Sequence, residues 1–433
     1  MKRPRMTNVV LALLCLMYFI TYLDRVNVST AASGFSKEFG LNKTEIGLVF
    51  SAFAYPYLVF QIVGGWISDR LGARRTLIVC GAIWAGATVL TGMAGGLASM
   101  LVARLLLGFG EGATFPAATA AMSRWVPTSR RGYAQGITHA AARIGNAVAP
   151  AAIVLIMAKY GWRESFYVCA GISFAWVAIW ALTFSEFPKD HPRVTAQELA
   201  SLPSPTFDTR IVPWRRLLVR MTPVTIVYFC YGWTLWLFLS WIPQYFLHSQ
   251  SLDITRSTLF ASCVFLAGVV GDTLGGVVTD KILKRCGNLR QARSFMVSVC
   301  MFLSMLSLIP LMFTHKLNVS VLFLSAGFFF SEMTIGPMWA TPMDIAPDHC
   351  GTASGIMNCG SALAAIISPV VSGFIIDRTG NWQLPFVASM VLMGVGVLLA
   401  YRMRPDSPFE ARRSAVVDLA IAMTQPPVAR DKN

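Results

Sequence analysis

Twelve separate apolar stretches, each of roughly 20 residues, constrain this chain more than any other feature. They run over approximately 8–34, 45–68, 76–96, 98–122, 133–158, 164–186, 222–247, 257–281, 292–314, 317–342, 351–376 and 383–403. As a helix, each stretch can cross a hydrocarbon layer about 30 Å thick. Strands of a membrane barrel would alternate apolar and polar residues over about 10 positions, and these stretches do not. The expected fold is therefore an all-α membrane protein with twelve transmembrane helices. A composition of 55% hydrophobic and 13% charged residues agrees.

The first stretch has some marks of a signal peptide. Lys2, Arg3 and Arg5 precede it, and Thr30-Ala31-Ala32-Ser33 resembles a cleavage site. Asp24 and Arg25 interrupt the apolar run before that site, so the stretch is assigned as a span.

A net charge of +15 invites a polyanionic partner such as nucleic acid. The location of the charge points elsewhere. With both termini in the cytoplasm, 26 of the 36 Lys and Arg residues fall on the cytoplasmic side and seven on the other. Arg25, Arg104 and Arg143 lie within spans. That asymmetry is the positive-inside bias, so the basic balance reports orientation in a plasma (bacterial inner) membrane. Nine cysteines are scattered without metal-ligand or disulfide spacing and read as small buried hydrophobes. No cofactor or metal is expected.

The polar loop 187–221 separates two halves, 1–186 and 222–403, with a tail over 404–433. The halves repeat one plan. Gly132, Gly136 and Pro150 match Gly351, Gly355 and Pro369 at a constant offset of 219, and Gly161-Trp162-Arg163 is echoed by Gly380-Asn381-Trp382. Duplicated six-helix halves around a midplane site are a known transporter plan. After the second span comes Gly65-Trp66-Ile67-Ser68-Asp69-Arg70-Leu71-Gly72-Ala73-Arg74-Arg75. A weaker copy ending in Asp280-Lys281 follows the eighth. Glycine permits close helix approach, and Asp69 can cap or pair with an adjoining helix end.

Gly65, Asp69, Arg70, Gly72, Arg74 and Arg75, with twelve spans in duplicated halves, resemble the major facilitator superfamily over nearly the whole chain. Tyr22-Leu23-Asp24-Arg25-Val26-Asn27, Arg104 through Phe115-Pro116, and Gly161-Trp162-Arg163 are similar, on fewer residues, to the anion:cation symporter family. That family includes bacterial importers of sugar acids and relatives of sialin. The resemblance implies that Gly65–Arg75 and Asp280 belong to a conformational gate.

Ionised groups within hydrocarbon cost several kcal/mol or more and usually line pathways. Arg25 is the leading candidate for a substrate carboxylate, because its planar fork donates two parallel hydrogen bonds. The competing assignment is a structural ion pair with Asp24 or another helix. The resemblance implies substrate contact at Arg25. Asp24 and Glu111 are candidate proton sites. Burial favours a neutral carboxyl group and a nearby arginine an ionised one, so an anion bound to that arginine links proton uptake to its own binding. The resemblance assigns protonation to the same two positions. Permanent pairing of Glu111 with Arg104, two turns away, is the alternative.

Arg104 is either a second anion contact or a structural tie. Arg143 makes the cavity more positive than one carboxylate requires, and the sugar-acid importers carry a polar amide at roughly that place. An acid with a second anionic group fits the change. Tyr57 and Gln61, four apart on one helix face, offer a hydroxyl and an amide, with Tyr55 nearby. Trp339 and Asn358 offer stacking and hydrogen bonding. His139, Asp272 and Glu332 also lie within spans: His139 is either a proton relay or a hydrogen-bonded packing histidine, and Asp272 and Glu332 either form a structural pair between halves or include an additional ion site.

No Gly-x4-Gly-Lys-Ser/Thr loop is present, and no nucleophile–base pair stands out, so neither ATP-driven transport nor an enzyme is expected. The expected function is proton-coupled import of a small organic anion, such as a sugar acid or other carboxylate, by alternating access. A monomer in the lipid bilayer is expected, with the anion and protons as its only other partners. The alternatives are a drug/proton efflux carrier of the same fold and a non-transporting substrate sensor.

Overall fold

A computed structural model describes residues 5–203, 212–246, 254–313 and 316–409. Lys2, Arg3, part of the central loop and the tail beyond Phe409 lie outside them. The first half comprises α1 (Met6–Thr30), α2 (Ala32–Phe39), α3 (Lys43–Ala52), α4 (Ala54–Leu71), α5 (Ala73–Gly92), α6 (Leu97–Gly112), α7 (Thr114–Trp125), α8 (Arg131–Tyr160) and α9 (Trp162–Thr183). A short α10 (Ala196–Leu199) lies in the connection. The second half comprises α11 (Trp214–Gln244), α12 (Ile254–Cys286), α13 (Met296–Leu308), α14 (Leu317–Glu332), α15 (Ile335–Ile345), α16 (Cys350–Thr379) and α17 (Leu384–Ala400).

These elements assemble into twelve spans. Eleven are long and apolar enough to cross a membrane, and the twelfth is the 17-residue α17. Among the described residues, three spans are broken near their middles, at Phe53, at Ala113 and at Met333–Thr334. Each break has a proline just beyond it: Pro56, Pro116 and Pro337. A proline removes one intrahelical hydrogen bond and clashes with the carbonyl four residues earlier, which here falls at or beside the break. Hence the pairs α3/α4, α6/α7 and α14/α15, each a single span in two pieces.

Two boundaries differ from expectation. The first apolar stretch stops being one helix at Ala31, and its end forms the separate amphipathic α2. The seventh span starts at Trp214 rather than 222, so Arg215, Arg216 and Arg220 are helical. Arginine is a good helix former and reaches water with its charged tip, so the helix outruns the apolar pattern.

The repeat at offset 219 is structural. α8 and α16 each carry an internal proline, Pro150 and Pro369. Each ends at a positive-φ glycine, Gly161 at +101° and Gly380 at +66°. The halves meet where α8 lies against α12 and α16 against α4. Here the glycines let backbones touch. A Cβ on Gly355 would collide with the Gln61 carbonyl, one on Gly136 with that of Asp272, and one on Gly65 with that of Gly351. Lipid provides little hydrophobic drive between helices, so such close backbone approach carries much of the association.

Candidate functional site

Between the halves lies a cavity of about 530 Å³. Its wall includes Arg25, Tyr57, His139, Arg143, Trp339 and Asn358, with Tyr22, Phe115 and Tyr228. It reaches past Phe50 and Tyr55 on one half and past Ile366 and Val370 on the other, away from the face that holds the chain ends. Toward that face the halves are in contact.

Two guanidinium groups face this cavity. Arg25 on α1 pairs through Nε with Glu111 Oε2 at 2.6 Å, and its side chain is 14% exposed while Glu111 is fully buried. Its Nη2 has no hydrogen-bond partner. Aromatic rings of Tyr57, Tyr22, Phe53 and Phe115 surround it, with centroids 4.7, 5.0, 5.1 and 5.3 Å from its Cζ. Cation–π contact at a desolvated site is worth about 2 kcal/mol or more and holds the fork without using its donors. Arg25 is thus paired with another helix and not with adjacent Asp24. Asp24 lies buried behind the wall, where its Oδ2 accepts from Ser173 at 3.2 Å and its Oδ1 has no partner.

Arg143, on α8, meets two acids. Its Nη2 donates to Glu332 Oε2 at 2.9 Å, and its Nε lies 3.7 Å from Asp272 Oδ2. Tyr231 completes the cluster, accepting from Arg143 at 3.2 Å and donating to Glu332 at 3.0 Å. Arg143 Nη1 has no partner. The Tyr22 ring centroid is 5.0 Å from the Arg25 Cζ and 5.9 Å from that of Arg143. A ring common to both cations keeps them within reach of one small molecule.

The remaining wall groups are partly engaged. Trp339 Nε1 donates to the Tyr228 hydroxyl at 2.7 Å, and His139 Nδ1 lies 2.9 Å from the Gln135 carbonyl. Asn358 Nδ2 donates to Gln61 Oε1 at 2.9 Å, joining the halves.

Two expected wall residues are elsewhere. Gln61 is fully buried behind Asn358, because its backbone forms the close crossing with Gly355. Arg104 is buried away from the cavity, where its Nε donates to the Val49 carbonyl at 3.3 Å. Val49 lies in the last turn of α3, whose carbonyls lack in-helix partners once the span breaks at Phe53. Arg104 therefore ties a broken helix end, and Glu111 pairs with Arg25 instead of with Arg104.

The expected gate residues divide in two. Asp69 accepts from the backbone N–H groups of Gly351 and Thr352 at 2.8 and 2.7 Å, and from the Thr352 hydroxyl at 2.6 Å. These groups open α16, so a carboxylate meets the positive end of a helix in the other half. Asp280 does the same to α8, accepting from Gly132 and Tyr133 at 3.0 and 2.7 Å. Arg293 and Arg131 reinforce the second latch through Asp344, each at 2.9 Å. Arg70 lies over the Trp66 ring, and Arg75 is exposed. Gly72 has φ +88°, and Arg74 engages the Ala181 carbonyl and Glu186 within its own half.

Tyr22, Tyr228 and Tyr231 were not foreseen as site residues. Tyr22 stands one turn before Arg25, a spacing that puts both on one face. The pairing of Arg143 with Glu332 was also missed, although the repeat held a signal for it. Glu111 precedes Pro116 by five residues, as Glu332 precedes Pro337, so equivalent breaks carry equivalent acids.

A fold of two six-helix halves around a central, cation-walled cavity defines a membrane transporter rather than an enzyme. The chain belongs to the major facilitator superfamily, whose family model matches residues 14–369 and 344–428. Among curated relatives, a probable sulfoacetate transporter of Cupriavidus necator is 46% identical over 418 residues, covering 94% of this chain and 97% of that protein. The hexuronate transporter of Bacillus subtilis is 28% identical, covering 87% and 90%. A probable galactarate/D-glucarate transporter of Escherichia coli is 28% identical, covering 92% of each. Among solved structures, the FucP transporter in the outward conformation superposes with a TM-score of 0.70 at 15% identity, covering 92% and 99%, which shows the shared fold.

Proposed function

We propose that this protein is a proton-coupled importer of a small organic anion with two acidic groups. It would lie in the bacterial inner membrane with both termini cytoplasmic and work as a monomer. The observation that carries this reading is the pair of guanidinium groups on one cavity wall, each with a buried N–H that has no partner. Arg25 takes a carboxylate and Arg143 a second acidic head. A short sulfonate–carboxylate of the sulfoacetate type fits that pair, in keeping with the name of the 46% identical relative. Two fixed cations in the wall oppose the alternative of a carrier for lipophilic cations.

Coupling follows from the Arg25–Glu111 pair. A carboxylate docking on Arg25 competes with Glu111 for the guanidinium. A buried carboxylate stripped of its counter-charge is costly, and a proton relieves that cost. Asp24, with one buried oxygen unpartnered, is the neighbouring acid able to share the proton. Contacts closed at the face of the termini and a cavity reaching the other face support the reading of an outward-facing limb of an alternating-access cycle.

The test uses purified full-length protein in liposomes with radiolabelled sulfoacetate. Accumulation should require an inward proton gradient and collapse with an uncoupler, and uptake indifferent to both would remove symport. Glu111→Gln should still exchange sulfoacetate across the membrane but fail to concentrate it. Full accumulation by that variant would exclude Glu111 as the coupling acid.

A further inference from the structure

Asp272 and Glu332 of the second half place two fully buried carboxylates on one buried guanidinium of the first half, Arg143, so the cluster spans the two halves. We infer that this cluster is a second proton site, which takes up one proton when the second acidic head of the substrate draws Arg143 away. The inference rests on the two-headed anion proposed above and adds a location and a proton count to it.

The geometry supplies three supports. First, Arg143 lines the cavity while both acids sit behind it, so a cavity ligand can reach the cation and not the carboxylates. Arg143 Nη1 is buried without a hydrogen-bond partner. Second, neither carboxylate oxygen of Asp272 has a hydrogen-bond partner, although the residue is fully buried. Third, the two halves share the acid of this arrangement. Each half places a buried acid beside the proline break of its fourth span, Glu111 and Glu332, and each acid pairs with a cavity-lining arginine of the first half, Arg25 or Arg143.

Charge bookkeeping gives the count. The titratable and charged groups around the cluster are His139 and Arg143 on α8, Tyr228 and Tyr231 on α11, Asp272 on α12, Glu332 on α14, and Tyr18 and Tyr22 on α1. Among them only Arg143 is a permanent cation. With Arg143 shared by the acids, one proton on the two carboxylates makes the cluster neutral. When Arg143 turns to the substrate, the same two carboxylates need a second proton. A sulfonate stays ionised at any biological pH, so it cannot carry that proton itself. With one proton taken up behind Arg25 and one behind Arg143, a dianion enters with two protons and no net charge.

Proton uptake on binding tests this directly. Sulfoacetate is titrated calorimetrically into purified full-length protein at neutral pH, in buffers of differing ionisation heat, and the dependence of heat on buffer gives protons taken up per ligand. Wild-type protein should take up close to two protons with sulfoacetate and close to one with acetate, which has a single head for Arg25. The double variant Asp272→Asn/Glu332→Gln should take up close to one with sulfoacetate. Each single variant should still take up two, because one remaining acid suffices. Equal uptake with sulfoacetate and acetate in wild-type protein overturns the second site, and that comparison needs no variant to fold. Two protons in the double variant overturn it as well. Sulfoacetate binding with no proton uptake at all defeats the coupled-transport reading itself, a different outcome from one proton, which defeats only the second site.

Discussion

Asp69→Asn offers the sharpest test of how this chain moves. The Asp69 carboxylate accepts three hydrogen bonds, two from the backbone that opens α16 and one from the Thr352 hydroxyl. The residue is only 3% exposed. Asparagine keeps one acceptor oxygen but turns the other position into a donor, facing two donors of Thr352. It also removes the negative charge from a helix N-terminus in the opposite half. Hydrogen bonds to charged groups are worth about 1.5–3 kcal/mol each, and a charge at a helix terminus about 0.3–1 kcal/mol. Neighbouring contributions are not additive, so a net loss of about 3 kcal/mol is a fair expectation. On the proposed alternating-access cycle, these bonds join the halves only while they touch at this face. The loss therefore falls on one conformation, and about 3 kcal/mol corresponds to a shift of roughly 100-fold or more in the two-state equilibrium.

Spin labels at positions 75 and 285, exposed on opposite halves at this face, would read that shift as a longer distance in pulsed electron resonance. Wild-type protein should show mainly the short distance, and Asp69→Asn a large long-distance population. Asp280→Asn should act in the same direction but more weakly, because the Arg131–Asp344–Arg293 network holds the second latch independently. An unchanged distance distribution in a folded Asp69→Asn protein would show that these bonds do not bias the equilibrium.

Arg25→Ala should weaken sulfoacetate binding by at least about 100-fold, since it removes a charged hydrogen-bonding anchor and strands Glu111; near-normal affinity by calorimetry would sink its role. Arg25→Lys should restore part of the loss only, because a point charge lacks the two-pronged fork. Gly355→Val should drive α16 from α4 at the Gln61 carbonyl, with a cost of about 1–3 kcal/mol from overpacking, visible as a lower melting temperature and a longer distance between the same labels. At the opposite face, hydrogen bonding to Arg163 holds the Glu38 carboxyl below its usual range. The stability from that tie is present above the unfolded carboxylate value and lost as pH falls through the lowered folded value, so acid should soften wild-type protein there and leave Glu38→Gln unaffected in a melting series across pH.

The spans and the duplication were legible in the sequence, because each has a local cause: apolar length, and fixed glycine and proline spacing. The helix breaks were not drawn from it, although each has a local cause in the carbonyl that a proline displaces. The site was legible only as a set of intramembrane charges, and the three arginines show why that is not enough. Arg25, Arg104 and Arg143 present the same side chain within apolar spans and meet three fates. Arg104 is consumed by a carbonyl freed at the Phe53 break, a local defect on another helix. Arg25 faces one acid and Arg143 two, and each lines the cavity with one buried nitrogen left unpartnered. Which fate applies depends on how helices far apart in sequence cross, and periodicity within one helix carries no such information. The repeat does carry some of it. Aligned on the proline breaks, Glu332 stands where Glu111 stands, and an acid placed twice beside a mid-membrane proline break asks for a cation at each. The partner of Glu332 comes across from the first half: Arg143, an intramembrane arginine facing the same cavity.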